Sequence, residues 1–162
     1  MAKPATRAVP EGVHTVTPYL IVSPCDKACD FYMKAFDAKD VMRMTDPSGK
    51  MMLHAELKIG DSLIFLADEF PQMGGHGPAH YKGTPVALHL SVPDVDVVFE
   101  RAVKAGCKPI MPPMDMFWGD RFGKLEDPYG HQWSVATHKV DYTPEEIHAQ
   151  MVAQMKAPDC PK

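Results

Sequence analysis

The chain has 162 residues, enough for one domain or for two fused small modules. Its formal net charge of −4, with no Lys/Arg cluster, excludes the basic footprint of a nucleic-acid binder and argues against an anionic membrane surface. No apolar run approaches a bilayer span, and the N-terminal MAKPATRAVPEG lacks the apolar stretch of a secretory signal, so a cytoplasmic location is expected.

Residues 1–12 read as a flexible leader. Val13 to Val22 (VHTVTPYLIV) is rich in β-branched and aromatic residues and predicts a strand. Ser23-Pro24 offers an N-cap and a proline at the first helical position. Ala28, Phe31, Tyr32, Ala35 and Phe36 recur at helical spacing as a buried stripe, with Asp37 at its end. Lys39 to Met44 predicts a second strand and Asp46-Pro47-Ser48-Gly49 a turn. From Met51 to Ile59 the chain alternates. Leu53, Ala55, Leu57 and Ile59 fall on one face, and His54, Glu56 and Lys58 on the other. Gly60-Asp61 turns the chain into a fourth strand, Ser62 to Ala67.

Asp68 to Pro85 is rich in Gly, Pro and His. Residues 69–85 are read as a linker or a mobile lid, with His76 and His80 as solvated loop residues. A second set of elements follows. Val86 to Val92 is a strand. Asp94 caps a helix with the stripe Val95, Val98, Phe99 and Ala102, and Gly106 stops it. Lys108 to Met111 is a strand broken by Pro112-Pro113. Phe117 to Asp127 and Gln132 to His138 form a hairpin in which Trp133 belongs to the core and His131 is structural. Thr143-Pro144-Glu145-Glu146 starts a tail helix that runs to about Met155.

The two halves have the same outline, strand–helix–strand–hairpin, with a period of about seventy residues, which implies a pseudo-twofold pair rather than a solenoid. Matching Leu20-Ile21-Val22 to Leu90-Ser91-Val92 places Tyr19 on His89. Matching Gly60 to Gly130 places His54 on Lys124 and Glu56 on Glu126. The expected architecture is α+β, two βαβββ modules at 13–68 and 86–138, followed by a helical tail at 139–162.

One face of each sheet must pack its own helix, so the other is free for chemistry. Alternation puts Tyr19, His54, Glu56, His89, Asp120, Phe122, Lys124 and Glu126 on that free face, together with Trp118 if its strand begins that early. These nine residues are the candidate ligand-binding set; such a mixture of His, carboxylates, Lys and aromatics suits a small polar or mixed ligand. His54 and Glu56 share a strand face two residues apart. They are also the candidate catalytic or metal-binding pair, Glu56 tuning His54 as a base; the alternative is a hydrogen-bonded polar rim. His89, alone on an apolar strand, reads as a ligand or as a satisfied core histidine. Phe117-Trp118 forms either a cavity wall that stacks a planar or cationic ligand or an aromatic plug at a subunit interface. Asp120 and Arg121 read as a surface ion pair.

Cys25, Cys29, Cys107 and Cys160 contain no CxxC and do not form a disulfide framework. Cys25 and Cys29, one helical turn apart, suit a metal in principle and buried thiols more simply. Twelve methionines point to an adaptable lining or to a bias of composition.

Thr17-Pro18-Tyr19-Leu20, Asp30-Phe31-Tyr32, His54-Ala55-Glu56-Leu57 with Gly60, and Phe117-Trp118 through Gly123-Lys124 and Asp127 carry a resemblance over about residues 13 to 138. The chain resembles the vicinal oxygen chelate superfamily of glyoxalase I, bleomycin- and fosfomycin-resistance proteins and extradiol dioxygenases, and within it the PhnB-like group. That resemblance implies a cup built from the two modules and a homodimer. In the metal enzymes of the superfamily four strands each supply a His or Glu. The matching positions here are Thr17, about Phe65, Ala87 and Ser134, so no metal and no other cofactor is expected, a divalent ion fitting only at a non-standard site. The resemblance thus implies a small-molecule-binding protein. The alternative is a lyase-, isomerase- or dioxygenase-type enzyme using His54, Glu56 and His89 as metal ligands or acid/base groups. A methyltransferase is not expected, because no Gly-rich nucleotide loop follows a strand.

Overall fold

The computed structural model describes residues 3–155, so Cys160 lies outside the described residues. The chain forms two compact units, Met1–Gly83 and Thr84–Lys162. Each is a βαβββ module.

In the first unit β1 (Tyr19–Ile21), α1 (Cys25–Phe36), β2 (Lys39–Thr45), β3 (Met52–Ile59) and β4 (Ser62–Ala67) give a four-stranded sheet in the order β1-β4-β3-β2. β1 runs parallel to β4 and the other pairs are antiparallel. A short helix α2 (Pro78–Tyr81) follows a 3-10 turn at Pro71–Met73. In the second unit β5 (Ala87–Ser91), α3 (Val95–Ala105), β6 (Lys108–Asp115), β7 (Asp120–Glu126) and β8 (Gln132–His138) repeat the plan with the order β5-β8-β7-β6. The tail helix α4 (Pro144–Met155) follows β8.

The helices form where the apolar stripe dictates. Cys25, Ala28, Cys29, Phe31, Tyr32, Ala35 and Phe36 are the buried side of α1, which packs on β2, β3 and β4. Asp37, at φ 56°, ends it in the left-handed conformation that Asp tolerates. The start of α1 differs from expectation. Ser23 makes no cap; Pro24 holds the cap position, and the Cys25 N–H donates to Asp68 Oδ1 at 2.8 Å. The other Asp68 oxygen accepts from Met52 N–H at 2.7 Å, so one carboxylate joins a helix start to the start of β3. The second unit has its counterpart: the Val95 N–H donates to Thr137 Oγ1 at 2.7 Å, and that hydroxyl donates to the Val92 carbonyl at 3.0 Å. Asp94 adds the expected side-chain cap to Val97 N–H. In α4, Thr143 and Glu146 form a reciprocal capping box.

Four strand expectations change. β1 begins only at Tyr19: Pro18 has no N–H to give a ladder, and its carbonyl accepts from Phe65 N–H. In β3 the alternation slips at Leu53. The pairing jumps between Met44↔His54 and Thr45↔Met52, and this bulge leaves Leu53 39% exposed while Met52, at 6%, enters the core. β6 runs straight through Pro112-Pro113. It is an edge strand, and its register shifts between Pro109, Met111 and Met114 take up the missing donors. β7 starts at Asp120, so Phe117 and Trp118 belong to the turn before it.

Trp133 is core as expected, 1% exposed, with its Nε1–H donating to Asp127 Oδ2 at 2.8 Å. Cys25, Cys29 and Cys107 are free buried thiols, and burial pushes Cys107 up to about 12. Cys25 is raised first by its hydrogen bond with Cys29 and then by burial.

Cross-strand pairing also corrects the alignment of the two halves. Tyr19 pairs with Phe65 and Phe65 with Glu56; His89 pairs with Ser134 and Ser134 with Lys124. Glu56 is therefore the structural counterpart of Lys124, two residues away from the match made on the turn glycines. The cause is loop length: Ile59↔Ser62 closes a two-residue turn, whereas Glu126↔Gln132 spans five.

Candidate functional site

Each unit has an open sheet face opposite its helix. In unit 1 the inward face holds Ala55, Leu57, Leu66 and Ile64, all buried. Tyr19, His54, Glu56 and Phe65 lie on the other. The His54 Nδ1 is 3.4 Å from the Tyr19 hydroxyl, and Nε2 is 3.2 Å from Glu56 Oε1. Phe65 meets both rings edge-on, at centroid distances of 6.0 Å to Tyr19 and 5.0 Å to His54. Met44 and Met42 of β2 pair with His54 and Glu56.

In unit 2 the open face carries His89, Asp120, Phe122, Lys124, Glu126 and Ser134. His89 is exposed, and its Nδ1 shares a hydrogen bond of 2.9 Å with Ser134 Oγ. It is therefore not a core histidine. Its ring lies nearly parallel to Phe122 at 6.1 Å, and Trp118 meets Phe122 edge-on at 5.7 Å. Trp118 thus joins this face from the turn rather than from the strand. Its Nε1–H donates to Asp120 Oδ2 at 3.0 Å. Lys124 Nζ stands 6.0 Å from the Phe122 centroid. Met111 and Met114 pair with Lys124 and Phe122, so methionines border the polar row in both units. Arg121 does not pair with Asp120: it sits on the helix-packing side and holds Asp96 at 2.8 Å and Asp115 at 3.3 Å, which lowers the Asp96 pKa.

An open pocket of about 600 Å³ adjoins this face, lined by His89, Ser91, Asp120 and His138 among others. His138 was not among the expected site residues. Its Nδ1 is 2.7 Å from Asp120 Oδ1 and its Nε2 2.9 Å from Asp141 Oδ1. Asp141 first, and Asp120 second, raise its pKa above the ordinary histidine value. The signal was present: along β8, Gln132, Ser134, Ala136 and His138 share one parity. His76 and His80, in the segment before β5, stack face to face at 3.8 Å.

The sequence pattern of the glyoxalase/bleomycin resistance protein/dioxygenase superfamily matches residues 12–135. The chain belongs to this superfamily. An uncharacterized protein of Mycobacterium tuberculosis is 42% identical over 142 residues, covering 86% of this chain and 83% of the relative. Among solved structures, TioX of a Micromonospora species is 25% identical with a TM-score of 0.59, covering 80% of this chain and all of that one. A gene product of Arabidopsis thaliana, also 25% identical, has a TM-score of 0.62 and covers 76% of this chain and 98% of its own.

Metal enzymes of the superfamily raise the question of a divalent ion. Phe65 and Ser134 occupy equivalent places, opposite Tyr19 and His89. Ala87 pairs with Gln132, and the Thr17 hydroxyl donates to the His14 carbonyl. Phe and Ala have no donor atom, and two neutral hydroxyls are poor ligands beside imidazole or carboxylate. This set does not fit a divalent ion. Among the described residues, no group of three or more His, Cys, Asp or Glu could hold a metal.

Proposed function

We propose that this superfamily member is a PhnB-like, metal-free binding protein for a small planar molecule, acting as a homodimer in the cytoplasm with no nucleic-acid or membrane partner. The reading rests on one observation, the aromatic row Trp118–Phe122–His89 leading into the pocket lined by Asp120, Ser91 and His138. The ligand's ring stacks along the row. Its polar groups meet Asp120, His89 and Lys124, with Glu126 at the far end of the same strand face. The bordering thioethers of Met111 and Met114 adapt to its outline. Tyr19, His54 and Glu56 stand on the open face of unit 1 and take no part in this ligand's site.

The test is a fluorescence titration of the purified protein with a panel of aromatic metabolites. Trp118→Phe assigns the signal, because Trp133 is buried. Trp118→Ala is expected to weaken the tightest hit about tenfold, the worth of one aromatic contact, while His54→Ala changes it little. An unchanged affinity in Trp118→Ala removes the reading. So does about one divalent metal per chain in protein purified without chelator, measured by elemental mass spectrometry and lost in His54→Ala. That outcome points to a rebuilt catalytic site instead.

A further inference from the structure

We propose that Tyr19, His54 and Glu56 form a proton relay on the open face of unit 1. Its acting end is the Tyr19 phenol, and it takes a small substrate with a weakly acidic O–H or C–H and an apolar body. The inference stands on unit 1 alone and is independent of the ligand proposed for unit 2.

Geometry orders the three groups. Glu56 lies two residues after His54 on the same strand face, with its Oε1 3.2 Å from His54 Nε2. A carboxylate there selects the tautomer with the proton on Nε2, because an ionised carboxylate only accepts. That leaves Nδ1 as a lone pair, and the atom beside it is the Tyr19 hydroxyl at 3.4 Å. The spacing is loose, as such contacts are before a reacting group seats, and it tightens when one does. The rings are held in place. Phe65 stands edge-on to both, and Tyr19 and His54 meet each other at 88° and 5.7 Å.

Exposure gives the relay its direction. The His54 and Glu56 side chains are only 20% and 21% exposed, whereas Tyr19 is 53% exposed. The base and its orienting carboxylate are sheltered while the phenol reaches solvent. Around them, β2 presents Met42 and Met44 and β4 presents Phe65, all uncharged. The only other charged group on the β3 face is Lys58, beyond Glu56 and exposed. The apolar border of Phe65, Met42 and Met44 sets the apolar body of the substrate.

The chemistry balances without a co-reactant. A substrate proton passes to the Tyr19 oxygen as the phenolic proton passes to His54 Nδ1. The products are a substrate anion and an imidazolium whose Nε2–H stays on the Glu56 carboxylate. Reversal onto a different atom of the substrate completes a proton shift, the reaction class of an isomerase or tautomerase. Nothing is oxidised and no group is transferred.

The test needs no substrate. N-Acetylimidazole acylates accessible phenols, and peptide mass spectrometry reads each tyrosine separately. Tyr81, 64% exposed, is the internal control for access. Tyr19 is expected to react at least tenfold faster than Tyr81, to fall to the Tyr81 rate in His54→Gln, and to fall severalfold in Glu56→Gln. Equal rates for Tyr19 and Tyr81 in the unaltered protein overturn the relay, as does an excess that survives His54→Gln. Nitrogen-15 NMR of the unaltered protein guards against variants that fail to fold. In the neutral imidazole of His54 a protonated Nε2 with a bare Nδ1 is expected; the opposite tautomer, with a protonated Nδ1 and a bare Nε2, overturns the relay outright.

Discussion

His138 and Asp120 face each other as partners of the β7–β8 ladder, Nδ1 2.7 Å from Oδ1, while the same imidazole reaches Asp141 through Nε2. Asp120 also accepts the Trp118 indole N–H, so one carboxylate ties the aromatic row to a titrating group at the pocket.

The sign of the resulting pH effect follows from the raised His138 pKa. A base raised on folding adds stability that is fully present below its unfolded value, 6.5, and is lost as pH rises through the folded value. His138→Gln should therefore lower the urea midpoint at about pH 5 and leave it nearly unchanged at about pH 9. The difference should shrink in high salt, because the imidazole and Asp141 are exposed. Equal losses at both pH values would mean that His138 acts through packing rather than charge.

Asp68 tests the joint at the start of the first module. Asp68→Ala removes the acceptors of two backbone N–H groups, those of Cys25 and Met52. The expected cost is about 1–3 kcal/mol in denaturant unfolding, the range of a lost helix cap and of hydrogen bonds to a charged acceptor. Thr137→Val, which strips the equivalent acceptor from Val95 N–H, should cost about 1–2 kcal/mol. A loss in Asp68→Ala no larger than in Thr137→Val would show that the Met52 bond carries nothing.

Local periodicity explains what the sequence made legible. The stripe of α1, the cap at Asp94, the turn at Asp46 to Gly49 and the burial of Trp133 each depend on residues within one or two turns of themselves. Parity alone placed His54 with Glu56, and Phe122 with Lys124, on open faces. Features set by a partner strand stayed hidden. The bulge that exposes Leu53, the passage of β6 through Pro112-Pro113 and the pairing that makes Glu56 the counterpart of Lys124 depend on register between strands. His138 escaped because a histidine closing a strand reads as an edge residue until Asp120 is seen opposite it.

Trp133 and Asp127 give a sharper test of the second hairpin. Asp127 is 4% exposed and accepts from the N–H groups of Tyr129 and His131 as well as from the indole. Trp133→Phe keeps most of the ring volume but leaves one buried carboxylate oxygen without that donor. It should destabilise the protein by about 2–4 kcal/mol, combining a lost charge-assisted hydrogen bond with partial cavity formation. Adding Asp127→Asn to Trp133→Phe should recover part of the loss, because a neutral amide is less costly to leave under-bonded. No recovery would assign the whole effect to packing.

Gly119 governs the turn that presents Trp118. It adopts φ 101°, and a Cβ there would clash with the Val140 carbonyl oxygen. That contact is with backbone, and the Gly119 carbonyl itself accepts from the Lys139 and Val140 N–H groups at 2.9 and 3.0 Å. Gly119→Ala must therefore either strain φ or push residues 139 and 140 away, breaking those bonds. A loss of about 2–4 kcal/mol is expected from strain and broken bonds together. Because Trp118 precedes this glycine, its emission should shift to the red as the indole leaves Asp120. An unshifted emission in a destabilised variant would mean that Asp120, and not the turn, holds the indole in place.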